Sequence, residues 1–147
     1  MIKYKLATVK EASGIAKLLQ KKYGRYYRPT KFTPQFVKER LKRKEVFYVV
    51  TIEDKKIVGT IRATKVDIDL VEFRHEVFSD LKIGKGLIKK MLSILKKKRM
   101  RKVVARTIST DRLNNRVYRG LRFRKEGYFK DHYRKGTHII QYARFLR

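Results

Sequence analysis

The chain contains no cysteine, so it forms neither disulfides nor thiolate metal sites. Its three histidines, His75, His132 and His138, lack the spacing of metal ligands, and we expect no structural metal. No apolar run approaches the roughly 18 residues that a membrane-spanning helix needs. The first residues alternate apolar with basic side chains and soon include an acid, unlike a signal peptide. We therefore expect a cytoplasmic protein without membrane contact.

Acidic residues are scarce: 13 Asp and Glu stand against 41 Lys and Arg, which gives a formal net charge of +28. The charge is spread along the chain, so we expect it to coat the folded surface and attract polyanions such as nucleic acid or the ribosome. The same charge argues against free polyamines or very basic peptides as ligands. With 147 residues, 42% of them hydrophobic, the chain predicts one folded domain over residues 1–147.

The sequence pattern predicts an α/β sheet with helices on its faces. Thr8 with Glu11 matches a capping box that starts the first helix, and Thr33 before Pro34 starts the second. The predicted elements are strand 2–7, a helix to about 23, helix 34–44, strands 45–52 and 56–65, a strand within 66–78, helix 85–98, strand 102–108, helix 112–120, and strands 123–130 and 137–146. The crossover through helix 85–98 predicts a parallel strand pair.

The segment 73–95 is the most informative part of the sequence, because it is typical of a strand, a short glycine loop and an amphipathic helix. Gly84 and Gly86 are predicted at the turn from loop to helix, with Lys82 and Lys85 beside them. Small residues let the backbone approach a phosphate, and the first N–H groups and the dipole of a helix attract anions. A tight turn with solvated lysines fits the loop alone equally well.

Two motifs and the element order resemble the GCN5-related N-acetyltransferase (GNAT) superfamily over nearly the whole chain. Residues 81–86 (LKIGKG) are similar to the family's acyl-CoA loop, Arg/Gln-x-x-Gly-x-Gly/Ala. Residues 118–127 (YRGLRFRKEG) are similar to its Tyr-x-x-x-Gly-Phe segment followed by Glu-Gly. The resemblance implies a mixed, mostly antiparallel sheet of six to seven strands with a central parallel pair and about four helices. It also implies transfer of an acetyl group from acetyl-CoA to an amine.

The resemblance further implies where acetyl-CoA binds. Backbone N–H groups from Lys82 to Leu87 would hold its pyrophosphate. Residues 75–77 would pair with the pantetheine arm like an added strand, and a backbone N–H there would face the acetyl carbonyl. The residues assigned to the cofactor are His75, Glu76, Val77, Lys82, Ile83, Gly84, Lys85, Gly86, Leu87 and Asp111.

Four positions depart from the family pattern. Leu81 stands where the family has Arg or Gln, Arg122 where it has Gly, and Asp111 where an Asn is common after the fifth strand. Members that acetylate ribosomal N-termini often carry a Glu base in the fifth strand, and the spacing from Tyr118 puts Arg106 at that place. These departures leave open a second class of function, a basic nucleic-acid- or ribosome-binding module with weak or no catalysis.

Three side chains are candidates for proton transfer. Tyr118 is the candidate acid for the leaving thiolate; alternatively it is a half-buried helix tyrosine that packs near the sheet. Glu72 and Glu76 are candidate bases; because they lie four apart in one strand, they are predicted to share a sheet face. Surface acids that balance nearby basic residues are the alternative. His75 is a further candidate base, with a packed histidine as the competing interpretation.

A basic aromatic patch joins the first two helices, and its members are Tyr23, Tyr26, Tyr27 and Phe32 interleaved with Arg25, Arg28 and Lys31. The resemblance implies that this connector helps to form the acceptor site. Such residues also stack on single-stranded nucleic acid, or simply anchor the connector. His132 and Tyr133 could line the acceptor cleft or be exposed loop residues. The acceptor and the oligomeric state, including a homodimer, stay open.

Overall fold

The computed structural model describes residues 1–24 and 31–147, and its element order agrees with the predicted one. The elements are β1 (Ile2–Leu6), a 3-10 turn (Val9–Glu11), α1 (Ala12–Tyr23), α2 (Pro34–Leu41), β2 (Val46–Glu53), β3 (Lys56–Lys65), β4 (Leu70–Val77), α3 (Leu81–Lys97), β5 (Lys102–Ile108), α4 (Arg112–Gly120), β6 (Arg124–Arg134) and β7 (Thr137–Phe145). Of the predicted basic aromatic patch, Arg25, Tyr26, Tyr27 and Arg28 lie outside the described residues.

The strands form one seven-stranded sheet in the order β1-β2-β3-β4-β5-β7-β6. Only β4 and β5 are parallel, because α3 carries the chain over the sheet between them; the other neighbours are antiparallel. The predicted mixed sheet with a central parallel pair and four helices is therefore confirmed. Within residues 1–24 and 31–147, no helix combines the length and apolar character that a membrane-spanning helix requires.

Helices cover both faces of the sheet, each over its own apolar cluster. The cluster under α1 and α2 includes Ala12, Ile15, Leu19, Val37, Tyr48 and Val50. The cluster under α3 and α4 includes Ile61, Phe73, Leu87, Met91, Val103 and Tyr118. Both predicted caps form: Thr8 and Glu11 make the capping box, and the Thr33 hydroxyl accepts from the Phe36 N–H. These caps satisfy N–H groups that the helix leaves without partners.

Helix α3 begins one turn earlier than predicted, at Leu81 rather than at about Lys85. The cause is Asp80, whose Oδ1 accepts from the Ile83 N–H at 2.8 Å and caps the helix. Gly84 and Gly86 consequently lie inside the helix, and the predicted glycine loop is wrong.

The two glycines of α3 make room for aromatic rings. A Cβ on Gly84 would lie 2.6 Å from the Phe78 ring, and a Cβ on Gly86 would lie 2.1 Å from the Tyr4 ring. Both distances are far below van der Waals contact, so the rings occupy the space that a larger residue would need. Leu81, the departure from the family motif, packs its side chain against the α3 cluster.

Candidate active site

The two parallel strands separate halfway along their length. Pairing runs from Leu70 with Lys102 to Phe73 with Ala105, and beyond that point β4 and β5 continue without bonding to each other. A cavity of about 530 Å³ lies at the opening. This cavity, called the cleft below, is lined by the end of α1, β4, β5, the start of α4, the end of β6 and the start of β7. Two strand edges that do not bond to each other therefore face each other across it.

A bulge in β4 decides which side chains enter the cleft. His75 has a positive φ of 55°, and the register with β3 shifts between Thr60 and Arg62. The shift breaks the alternation of side chains along the strand. Glu72 lies before the bulge, and because Val71 and Phe73 pack in the α3 cluster, it points away from the α3 face. Its carboxylate pairs with Arg74 at the rim.

Glu76, beyond the bulge, turns toward α4 instead. The prediction that Glu72 and Glu76 share a face is therefore wrong. The Glu76 carboxyl is only 3% exposed. Its Oε1 accepts from Asn114 Nδ2 at 2.9 Å, and its Oε2 accepts from the Tyr118 hydroxyl at 3.4 Å. Burial raises the pKa of Glu76, against the attraction of the nearby Lys22 ammonium.

Tyr118 lies behind Glu76 and is fully buried, not half-buried as the alternative interpretation had it. Its ring stacks on Tyr142 and meets the edge of Phe123. Burial, and then the negative charge of Glu76, raise the pKa of Tyr118 well above its usual value. Tyr118 is therefore connected to the cleft indirectly: its hydroxyl bonds to the carboxyl of Glu76, and Glu76 lines the cleft.

The end of α1 ties β4 to α4. Lys22 Nζ and the Tyr23 hydroxyl both donate to the Glu76 carbonyl, at 2.9 and 2.8 Å. Lys22 also lies 3.6 Å from the Asp111 carboxylate, which caps α4 by accepting from the Asn114 N–H. No sequence pattern distinguished Lys22 from the other basic residues. Asn114 did carry a signal, since it lies four residues before Tyr118 on one helix face.

Asn115 holds the turn between β5 and α4, which forms one wall of the cleft. Its Nδ2 donates to three backbone carbonyls within residues 108–111. Its Oδ1 accepts from the hydroxyls of Thr107 and Tyr142, at 2.6 and 2.9 Å. The sequence carries no local signal for this network, because its partners come from separate elements.

The N-terminus of α3 offers less to a phosphate than predicted. Within residues 82–87, the N–H groups of Ile83 and Gly84 already bond to the side chain and carbonyl of Asp80. The N–H of Lys82 lies in the first turn of α3, where N–H groups have no partner within the helix. The side chains of Ile83 and Leu87 lie in the core. The cleft thus fits a slender arm between two strand edges. A phosphate end would depend on the lysines more than on a glycine backbone.

No protein-family profile matches the chain, and no curated protein matches it by sequence. Solved structures do match, and three of them are covered over 93–100% of their own chains. An acetyltransferase of the GNAT family from Streptococcus pneumoniae has a TM-score of 0.80 at 11% identity, covering 100% of both chains. The aminoglycoside 6'-N-acetyltransferase from Enterococcus faecium has 0.80 at 15%, covering 100% of this chain and 97% of its own.

A third structure, the ribosomal-protein-S5-alanine acetyltransferase from Vibrio fischeri, has a TM-score of 0.79 at 20% identity, covering 99% of this chain and 93% of its own. The proteins share the overall fold rather than sequence. The chain has the fold of the GNAT superfamily.

Proposed function

We propose that the protein is an acetyl-CoA-dependent N-acetyltransferase. The proposal rests on one observation: β4 and β5 separate around a cleft, and the buried Glu76 lies in the wall of that cleft. Buried carboxyls with raised pKa values are typical of proton-transfer sites. The likeness of the fold to acetyltransferases from three organisms supports the same activity. The predicted cytoplasmic location stays a prediction.

Acetyl-CoA would supply a thioester whose acyl carbon an amine attacks. Its arm would lie between residues 74–77 and 106–108, where both strands leave an edge unpaired. The Lys82 N–H and the ammonium groups of Lys82 and Lys85 would hold the phosphates. Asp111 caps α4 at the rim of the cleft and pairs with Lys22. This pairing would hold the Lys22 ammonium near the bound cofactor.

Glu76 would take the proton of the amine as the C–N bond forms and the C–S bond breaks. The raised pKa of Glu76 suits this role. A carboxyl whose pKa lies nearer neutral pH can accept the proton from the amine and then donate it, here to the departing thiolate. Tyr118 would position the carboxyl through its hydrogen bond and not contact the thiolate itself. Glu72 is the alternative base, and its carboxylate is already paired with Arg74.

Filling the cleft is expected to abolish acetyl-CoA binding. Ile108 lines the cleft, so Ile108→Trp places a large ring where the arm would lie. Isothermal titration calorimetry should give one acetyl-CoA site in the wild type and none in this variant. The control is Ile68→Trp, because Ile68 is 80% exposed and outside the cleft. Absence of wild-type binding at millimolar acetyl-CoA, or equal binding in the Ile108 variant, would contradict the proposal.

A second candidate function is the binding of single-stranded nucleic acid, and the hairpin of β6 and β7 favours it. β6 is the last strand of the sheet, and Tyr128 and Tyr133 are 50% and 58% exposed on this hairpin. Lys125 lies 5.2 Å over the Tyr128 ring, and His132 packs on Tyr133. Exposed rings between cations are a stacking platform for bases. Both activities can reside in one molecule.

The double variant Tyr128→Ala and Tyr133→Ala is expected to weaken binding of a single-stranded oligonucleotide by about tenfold or more, because each stacked base contributes about 1–3 kcal/mol. Fluorescence anisotropy across a salt series measures it, and affinity should fall steeply with salt. Ile68→Ala, which removes an exposed apolar side chain without a ring and outside this hairpin, is the control. Unchanged or salt-insensitive binding would count against this function.

A further inference from the structure

Five basic side chains meet on the α1 face of the sheet. Tyr48 of β2 pairs in register with Arg62 of β3, and Arg62 pairs with Arg74 of β4, so the three side chains form a row across the strands. Ile61 and Ala63, on either side of Arg62, pack in the α3 cluster, which puts Arg62 on the opposite face. The cationic cluster, as it is called below, comprises Arg62, Arg74, His75, Lys31 and Arg40.

Arg62 is buried without a counter-charge. It is only 9% exposed, and its Nε has no hydrogen-bond partner in the described part of the chain. No carboxylate of residues 1–24 and 31–147 forms a salt bridge with it, and residues 25–30 (RYYRPT) contain no acid. The Tyr48 hydroxyl lies close enough to favour its charge, but the two make no hydrogen bond of regular geometry. A guanidinium stays charged at any ordinary pH, so this burial is costly.

The site gains positive charge from Arg74, Lys31 and Arg40, whereas His75 is uncharged near neutral pH because its pKa is low. Burial, and then Arg62, Lys31 and the other cations, lower the pKa of His75 to about 3. Burial, followed by Arg62, Arg40 and Arg74, lowers the pKa of Lys31. Glu72 pairs with Arg74 and is the one carboxylate of the described residues in a salt bridge with the cluster. The positive charge therefore exceeds what the described chain neutralises.

We propose that the cationic cluster binds a phosphate group of the acetyl acceptor. Guanidinium groups bind phosphate through two parallel hydrogen bonds, and a doubly charged anion offsets several clustered cations better than a single carboxylate does. Arg74 and His75 also line the cleft, so the bound phosphate would lie beside it. The acceptor part of this proposal rests on the proposed acetyltransferase function; the anion site does not.

Arg62→Met tests the site, because methionine keeps much of the volume and removes the charge. In phosphate-free buffer this variant is expected to melt several degrees higher than the wild type, since a buried uncompensated charge is gone. Calorimetric titration with inorganic phosphate should give binding about tenfold or more weaker than in the wild type. Arg74→Met, at the more exposed end of the row, should also weaken phosphate binding. This second variant tests the site even if Arg62→Met does not fold.

The matched control is Arg116→Met, which removes an exposed cation of α4 and should leave phosphate affinity unchanged. Succinate, a carboxylate of similar charge, should bind more weakly than phosphate. Equal phosphate affinity in wild type and Arg62→Met, or tighter succinate binding, would overturn the proposal. The two proposals can fail separately. If the wild type binds no acetyl-CoA but phosphate still binds to the wild type and to Ile108→Trp, the acetyltransferase function is contradicted and the anion site is supported.

Discussion

Glu76→Gln is expected to slow acetyl transfer by about 100-fold or more, because positioned acid–base groups contribute about 10²–10⁴ in rate. Glutamine keeps the shape, and its oxygen can still accept from Asn114. The loss should therefore appear in kcat, with acetyl-CoA affinity unchanged. Release of the CoA thiol with a panel of primary amines measures the rate, and calorimetry measures the affinity. Glu45→Gln, which changes an exposed carboxyl in the turn before β2, is the control.

The same variant has a signature in stability. Because the folded state raises the pKa of Glu76 above its usual 4.5, folding favours the protonated carboxyl. This contribution is complete below pH 4.5 and is lost as the pH rises through the folded-state pKa. Glutamine cannot ionise, so the stability difference should move in favour of Glu76→Gln as the pH rises. An unchanged rate in the variant would transfer the proton role to Glu72, and a pH-independent difference would contradict the buried-carboxyl assignment.

Asn115→Ala is expected to destabilise the protein by at least about 3 kcal/mol, since each buried polar group left without a partner costs about 1–3 kcal/mol. The amide serves three carbonyls of the turn 108–111 and two hydroxyls, those of Thr107 and Tyr142. That loss is a large part of the stability of a typical domain. Urea unfolding measures it, and weaker acetyl-CoA binding should accompany it because the turn forms one wall of the cleft.

Asn114→Ala is the comparison for this prediction. Asn114 is buried like its neighbour, but its side chain makes one hydrogen bond, to Glu76. The expected destabilisation is therefore smaller, about 1–2 kcal/mol. A loss at Asn115 no greater than that at Asn114 would show that the turn does not depend on the amide network.

The fold was largely predictable because its signals are local. The capping box of Thr8 and Glu11 and the alternation of apolar residues in the strands act within a few residues of each other. The start of α3 was predicted one turn late, because Asp80 was not recognised as its cap. Arg122 adopts a positive φ of 64°, which explains why a glycine is common at that place in the family.

The candidate site was predictable only in part. Tyr118 and Glu76 were expected near the cofactor from the family motif and the strand pattern, and the structure brings them together through a hydrogen bond. The separation of Glu72 from Glu76 was not predictable, since period-two alternation assumes an unbroken strand. The bulge at His75 follows from how β4 fits β3, and nothing in the local sequence marks it.

By itself the sequence determined the order of strands and helices, the mixed sheet and the strongly positive surface, because caps, periodicity and composition are read along the chain. Only the tertiary structure decided which distant side chains share an environment. It turned Glu76 toward Asn114 and Tyr118, and it buried Arg62 beside Tyr48 without a carboxylate partner. Burial and charge compensation depend on strand register and helix packing, which join residues far apart in sequence.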